Sequence, residues 1–142
     1  MTGARNDVAR RKLAALGDHL HELERMLPST LRAYERDAVR RRAVERLLQL
    51  LVESAADLFQ RLLVLRGIAA PQDYRGIFRA AARAGLIPED LVERLDPFAS
   101  LRNLLVHEYD DLDDAVVHSE AGRAVAVFAH VLEVARRAMR RR

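Results

Sequence analysis

"AVERLLQLLVESAADLFQRLLVLRG", residues 43–67, decides the fold. Val44, Leu47, Leu48, Leu51, Ala55, Leu58, Leu62 and Leu65 recur at three- and four-residue steps. That spacing gathers one broad apolar face on a helix, whereas a half-buried strand would alternate with period two. Arg66-Gly67 supplies a C-terminal stop. Upstream the same pattern reaches back to about Tyr34, so the expected helix runs from Tyr34 to Leu65 and is the longest in the chain.

The flanks read the same way. A first helix is expected over Asp7–Met26, with Leu13, Leu16, Leu20, Leu23 and Leu27 in register and Pro28 closing it. Downstream, "APQDYRGIFRAAARAGLIPED" (residues 70–90) predicts a short helix from Gln72 to Ala84, stopped by Gly85. Pro88 then opens another helix, with Glu89 and Asp90 in a first turn that favours negative charge. It passes Pro97, where a kink or break is expected, and reaches Tyr109. A last helix should cover Asp113–Arg140, weakened early on by Gly122. No internal repeat or linker interrupts the 142 residues. The expected architecture is all-α: one domain over residues 1–142, an antiparallel bundle of about five helices with short connections.

Composition excludes several classes. Half the residues are hydrophobic and 32% are charged, as in a globular protein rather than a disordered one. Cysteine is absent, so disulfides and thiolate metal sites are ruled out. No apolar run approaches the roughly 20 residues that span a bilayer, so no membrane role is expected. "MTGARNDVARRK" lacks the apolar stretch of a signal peptide, and the expected location is the cytoplasm. The net charge of +3 is too small to announce a nucleic-acid partner, but its chemistry is biased. Lys12 is the only lysine; the other basic residues are arginine, the better fork for phosphate. Arg40–Arg42 and the tail "ARRAMRRR" are read first as solvated faces and second as an RNA or phosphate footprint.

One segment carries more than packing. In "SLRNLLVHEYDDLD", residues 100–113, Arg102, Asn103, His107 and Tyr109 stand among leucines. With Leu101 at zero on a helical wheel, Phe98, Leu104 and Leu105 fall within roughly 60°. Arg102 lies near 100° and Tyr109 near 80°, roughly inside that apolar arc, while Asn103 and His107 share the other side. A guanidinium cannot shed its charge, so on a buried face it needs a carboxylate, a phosphate or a partner subunit. Singly, each residue has an ordinary explanation: a structural ion pair for Arg102, a helix-end cation for His107, a core-edge aromatic for Tyr109. Together, at this spacing, they point to a site. His19 and His21, by contrast, point roughly 200° apart on a helix and do not share an ion.

Arg102-Asn103-Leu104-Leu105-Val106-His107-Glu108-Tyr109 resembles the R-x4-H-x-Y motif of the HepT toxins, within the HEPN superfamily of helical ribonucleases. The long helix over residues 43–67, "DYRGIF", "AGLIPEDLVERL" and the run into "HEYDDLD" resemble that family too, over roughly residues 10–135. The C-terminal arginine tail lies outside the matching pattern. The resemblance implies a two-fold homodimer whose motif helices line one shared cleft. It implies metal-independent RNA cleavage, with tRNA as the expected substrate, no cofactor, and Arg102 and His107 as the catalytic pair. Asn103 would support them, and an acidic residue of the long helix, such as Glu45 or Glu53, would orient Arg102. Tyr109 is the implied acceptor of AMP, transferred from ATP by a minimal nucleotidyltransferase antitoxin that silences the toxin of a type VII pair. Two alternatives remain: a non-catalytic helical partner of that nucleotidyltransferase, and a basic bundle that binds nucleic acid without cutting it.

Overall fold

The computed structural model describes residues 2–107 and 112–140, with side chains from residue 6 onward. Within them all regular structure is helical: α1 (Thr2–Met26), α2 (Leu31–Arg36), α3 (Ala38–Leu65), α4 (Tyr74–Arg83), α5 (Glu89–His107) and α6 (Asp114–Arg140). Every other helix packs on α3, which at 1.5 Å per residue is about 42 Å long. Its face of Val44, Leu47, Leu48, Leu51, Ala55, Leu58 and Leu62 is buried as the spacing predicts, widened by Val52, Ala56, Phe59 and Leu63. Leu16, Leu20 and Leu23 of α1 close one side of the core, and Val117, Ala121, Ala124, Phe128 and Val131 of α6 another.

There are six described helices rather than about five, because the expected Tyr34–Leu65 helix is broken at Asp37. Asp37 takes an extended backbone (φ −117°, ψ 91°) and its carboxylate accepts from the Arg40 N–H, capping α3. A short aspartate side chain competes for backbone N–H groups, and here that outweighs helix continuation. The separated turn, α2, is itself capped by Thr30, whose hydroxyl accepts from the Ala33 N–H. It buries Tyr34 completely, with the ring centroid 5.3 Å from that of His118 on α6. His118 Nε2 donates to the Pro28 carbonyl at 2.8 Å, so one histidine ties the α1–α2 turn to α6.

Both predicted glycine stops are observed. Ile68 N–H bonds back to Leu63 O and Gly67 N–H to Val64 O; Leu86 and Gly85 repeat the pair on Ala81 and Ala82. Each glycine sits in the left-handed region, at φ 74° and 77°, which a residue with a Cβ adopts only with strain. Neither Pro97 nor Gly122 breaks its helix. The helix α5 continues through Pro97, and α6 through Gly122. Leu95, Phe98, Ala99 and Leu101 are buried around Pro97, and Arg75 donates to the Asp96 carbonyl at 3.4 Å. That packing outweighs the roughly 3 kcal/mol by which an interior proline disfavours a helix. None of the described helices is long and apolar enough to cross a membrane.

Candidate active site

The helix α5 carries the motif, and its apolar side determines how Arg102 is aimed. Phe98, Leu101 and Leu105 are buried against the bundle, which turns Arg102 toward α3 and α4. The arginine is indeed on the inward arc: four-fifths of its side chain is covered. Leu104 is a correction. It was expected to pack, yet it is 49% exposed, because α5 meets the bundle along a narrower stripe than the wheel allowed.

Glu53 of α3 answers the guanidinium. Its Oε2 accepts from Arg102 Nε at 3.0 Å and from Nη2 at 2.9 Å. The same oxygen accepts from Gln49 Nε2 at 2.9 Å, one helical turn away on α3. From the other direction Tyr74, the first residue of α4, lays its ring under the guanidinium, with Cζ 5.0 Å from the ring centroid. Asn103 Oδ1 approaches Arg102 Nη1 at 3.4 Å. Burial raises the pKa of the Tyr74 hydroxyl; Arg102 pulls it back, and the carboxylates of Glu53 and Asp57 add to the rise. Tyr74 therefore stays a neutral phenol at physiological pH.

Of the two acidic candidates, Glu53 orients Arg102. Glu45 pairs instead with Arg42 at 3.2 Å. The Glu53–Arg102 pair is 29% and 20% exposed, intermediate between a surface pair worth at most about 1 kcal/mol and a costly buried one. Its main effect is geometric: it fixes where a permanent positive charge sits.

His107 is the last residue of α5 and is exposed, as is Asn103, so the two share the outward side as their spacing predicts. Among the described residues His107 makes no side-chain hydrogen bond. Arg102 and His107 thus lie on one helix with no hydrogen bond between them. Tyr109 lies outside the described residues. Gln49 and Tyr74 were not singled out from the sequence. Tyr74 stands inside "DYRGIF", but only the packing of α4 beside α5 reveals what its ring meets.

The basic clusters resolve differently. Arg40, Arg41 and Arg42 are paired with Asp37, Asp114 and Glu45 at 3.4, 3.7 and 3.2 Å, a structural use. In the tail, Arg137 faces Glu133 at 3.5 Å on the last turns of α6. No group of three or more His, Asp or Glu residues able to hold a metal occurs among the described residues.

A central long helix crossed by a neighbour that carries a carboxylate-clamped arginine defines a helical-bundle protein. The chain belongs to the HepT-like ribonuclease family, whose model matches residues 16–135. A tRNA nuclease HepT from Aphanizomenon flos-aquae is 34% identical over 98 residues, covering 68% of this chain. The matched part spans 63% of that relative's length. Among solved structures, the tri-AMPylated Shewanella oneidensis HEPN toxin in complex with MNT antitoxin superposes with a TM-score of 0.82 at 21% identity. The overlap covers 92% of this chain and 98% of that one. A cytosolic protein of unknown function from Bacillus subtilis, YutE, gives a TM-score of 0.79 at 14% identity, over 93% and 88% of the two chains. At these identities the solved structures share the fold.

Proposed function

We propose that this chain is the toxin of a type VII toxin–antitoxin pair, an endoribonuclease that cleaves tRNA without a metal and acts as a two-fold homodimer. The observation that carries the proposal is Arg102, a permanent cation held in place by Glu53 at 2.9 Å on the same helix as His107. Dimerisation supplies what one subunit lacks. Two motif helices facing each other bring two arginines and two histidines to one phosphate, and the exposed Leu104 gives that contact an apolar centre.

The chemistry follows from those groups. One His107, acting as general base, takes the proton of the RNA 2′-hydroxyl as that oxygen attacks phosphorus. The P–O5′ bond breaks, and the second His107 returns a proton to the leaving 5′-oxygen. The products are a 2′,3′-cyclic phosphate and a 5′-hydroxyl. Arg102 holds positive charge against the phosphorane oxygens as they become more negative, and Asn103 helps to seat the phosphate. No step requires a metal or a cofactor. The tRNA nuclease relative supports the substrate class.

The regulatory half of the proposal concerns Tyr109. A minimal nucleotidyltransferase antitoxin transfers AMP from ATP to its hydroxyl: the phenol oxygen bonds the α-phosphorus and pyrophosphate leaves. Anionic phosphodiesters beside the cleft neutralise its arginines and block RNA. Support comes from the AMPylated state named for the Shewanella oneidensis toxin.

Two measurements test this. Purified, unmodified protein incubated with tRNA in excess chelator is expected to yield fragments ending in cyclic phosphate; intact tRNA would favour a non-catalytic partner of the nucleotidyltransferase. Co-expression with that enzyme is expected to add AMP-sized mass increments to the chain, and Tyr109→Phe to abolish them. An unchanged wild-type mass after co-expression would rule out the switch.

A further inference from the structure

The way Glu53 holds Arg102 is incomplete on its own. Both hydrogen bonds from the guanidinium converge on a single oxygen, Oε2, rather than on two as in a fork-to-fork pair. Two bonds to one point define a pivot. They fix the distance of the guanidinium but leave its plane free to swing about that oxygen. Gln49, donating to the same Oε2 at 2.9 Å, holds the pivot still without adding a second point. A cation whose plane swings presents its outer edge in many directions; the Nη1 edge, which Glu53 does not hold, has only a long 3.4 Å bond to Asn103 Oδ1, the next residue on the same helix.

We propose that Tyr74 is the positioning residue that sets the plane of Arg102, its ring forming the second support that the single-oxygen clamp requires. The placement is specific. Tyr74 comes from α4, Glu53 from α3 and Arg102 from α5, so three helices meet at one guanidinium. Asp73 caps α4 by accepting from the Gly76 N–H at 2.9 Å, which fixes the turn from which Tyr74 projects. The ring face carries the negative lobe of its quadrupole, so a cation above it is attracted flat. Partial burial strengthens that attraction and keeps the phenol neutral. The hydroxyl has no part in this. What matters is the ring, and the role is to orient, not to react.

The inference rests on RNA cleavage as the activity, and its test separates the two. Phenylalanine and its mono-, di- and trifluorinated analogues at position 74 keep the shape of the ring while progressively draining its face of negative charge. The expected result is that Tyr74→Phe cleaves tRNA within about twofold of wild type and that kcat falls stepwise with each fluorine, with KM little changed. Tyr74→Leu is expected to lose about tenfold in kcat. A flat fluorine series overturns the proposal, and so does a Tyr74→Phe variant as impaired as Tyr74→Leu, because the hydroxyl would then be the working group. A second readout does not use activity. The Arg102 Nε–H resonance is expected to carry a ring-current shift in the wild type and in Tyr74→Phe that disappears in Tyr74→Leu. An unchanged resonance in Tyr74→Leu overturns the stacking. RNA left intact by a wild type that does show the shift overturns the cleavage reading instead.

Discussion

His107→Ala is expected to lower the rate of tRNA cleavage by about 10²–10⁴-fold, the contribution of a placed acid–base group. Arg102→Ala is expected to lose about 10²–10³-fold, the usual loss when one donor to a developing anion is removed. Initial rates on a defined tRNA, with melting followed in parallel, would check both. His107 is exposed at the end of α5, so its removal leaves the fold intact. Arg102→Ala leaves Glu53 without its main partner, but that carboxylate is 29% exposed and can be hydrated, so the melt should shift only modestly. Arg102→Lys should not restore activity. An ammonium cannot give Oε2 two bonds and keep a planar edge free for phosphate. Since both residues are proposed to act on one phosphate, the double variant should fall little below the worse single one. Wild-type rates in both single variants would remove these residues from the mechanism.

Phe128→Ala is the largest expected effect on stability, about 3–5 kcal/mol. The ring is fully buried on α6 and meets Phe98 of α5 edge-on, with centroids 5.5 Å apart and an interplanar angle of 64°. Its removal leaves a cavity that neighbouring helices fill only in part. In a chain of this size that corresponds to a drop of about 10–15 °C in Tm, read by thermal denaturation. Phe98 lies one turn before Arg102, so the cavity opens directly beneath the motif helix. A loss below about 1 kcal/mol would mean that α5 and α6 are not held together by this pair.

The parts of the fold legible in the sequence were those written in periodicity. Leu47, Leu51, Leu58 and Leu62 mark the face of α3 because burial selects side chains by their angle on the helix, and Gly67 and Gly85 mark stops because the left-handed backbone selects against a Cβ. The break at Asp37 was hidden, since an aspartate on a helix surface and one capping a new helix look alike in a run of charged residues. Pro97 misled in the other direction: a local penalty was outweighed by burial on either side of it. Within the site, the motif and its inward arginine were visible. The choice between Glu45 and Glu53 was not, for both lie on α3 and only the crossing of α5 over that helix distinguishes them. Tyr74 shows the same limit, because its partner is 28 residues away and on another helix.

The Glu53–Arg102 pair also divides attraction from grip. A guanidinium 2.9 Å from a carboxylate projects a dipole rather than a charge, and its field fades within a few ångströms. A polyanion drifting in from solvent does not sense it at a distance. In the proposed reaction, long-range guidance would fall to exposed arginines on the outer faces, such as Arg136 and Arg140 of α6, whose reach is about 8 Å in physiological salt. If Arg102 acts as proposed, dissolved salt should therefore govern how often a phosphate arrives and hardly touch what Arg102 does once it is seated.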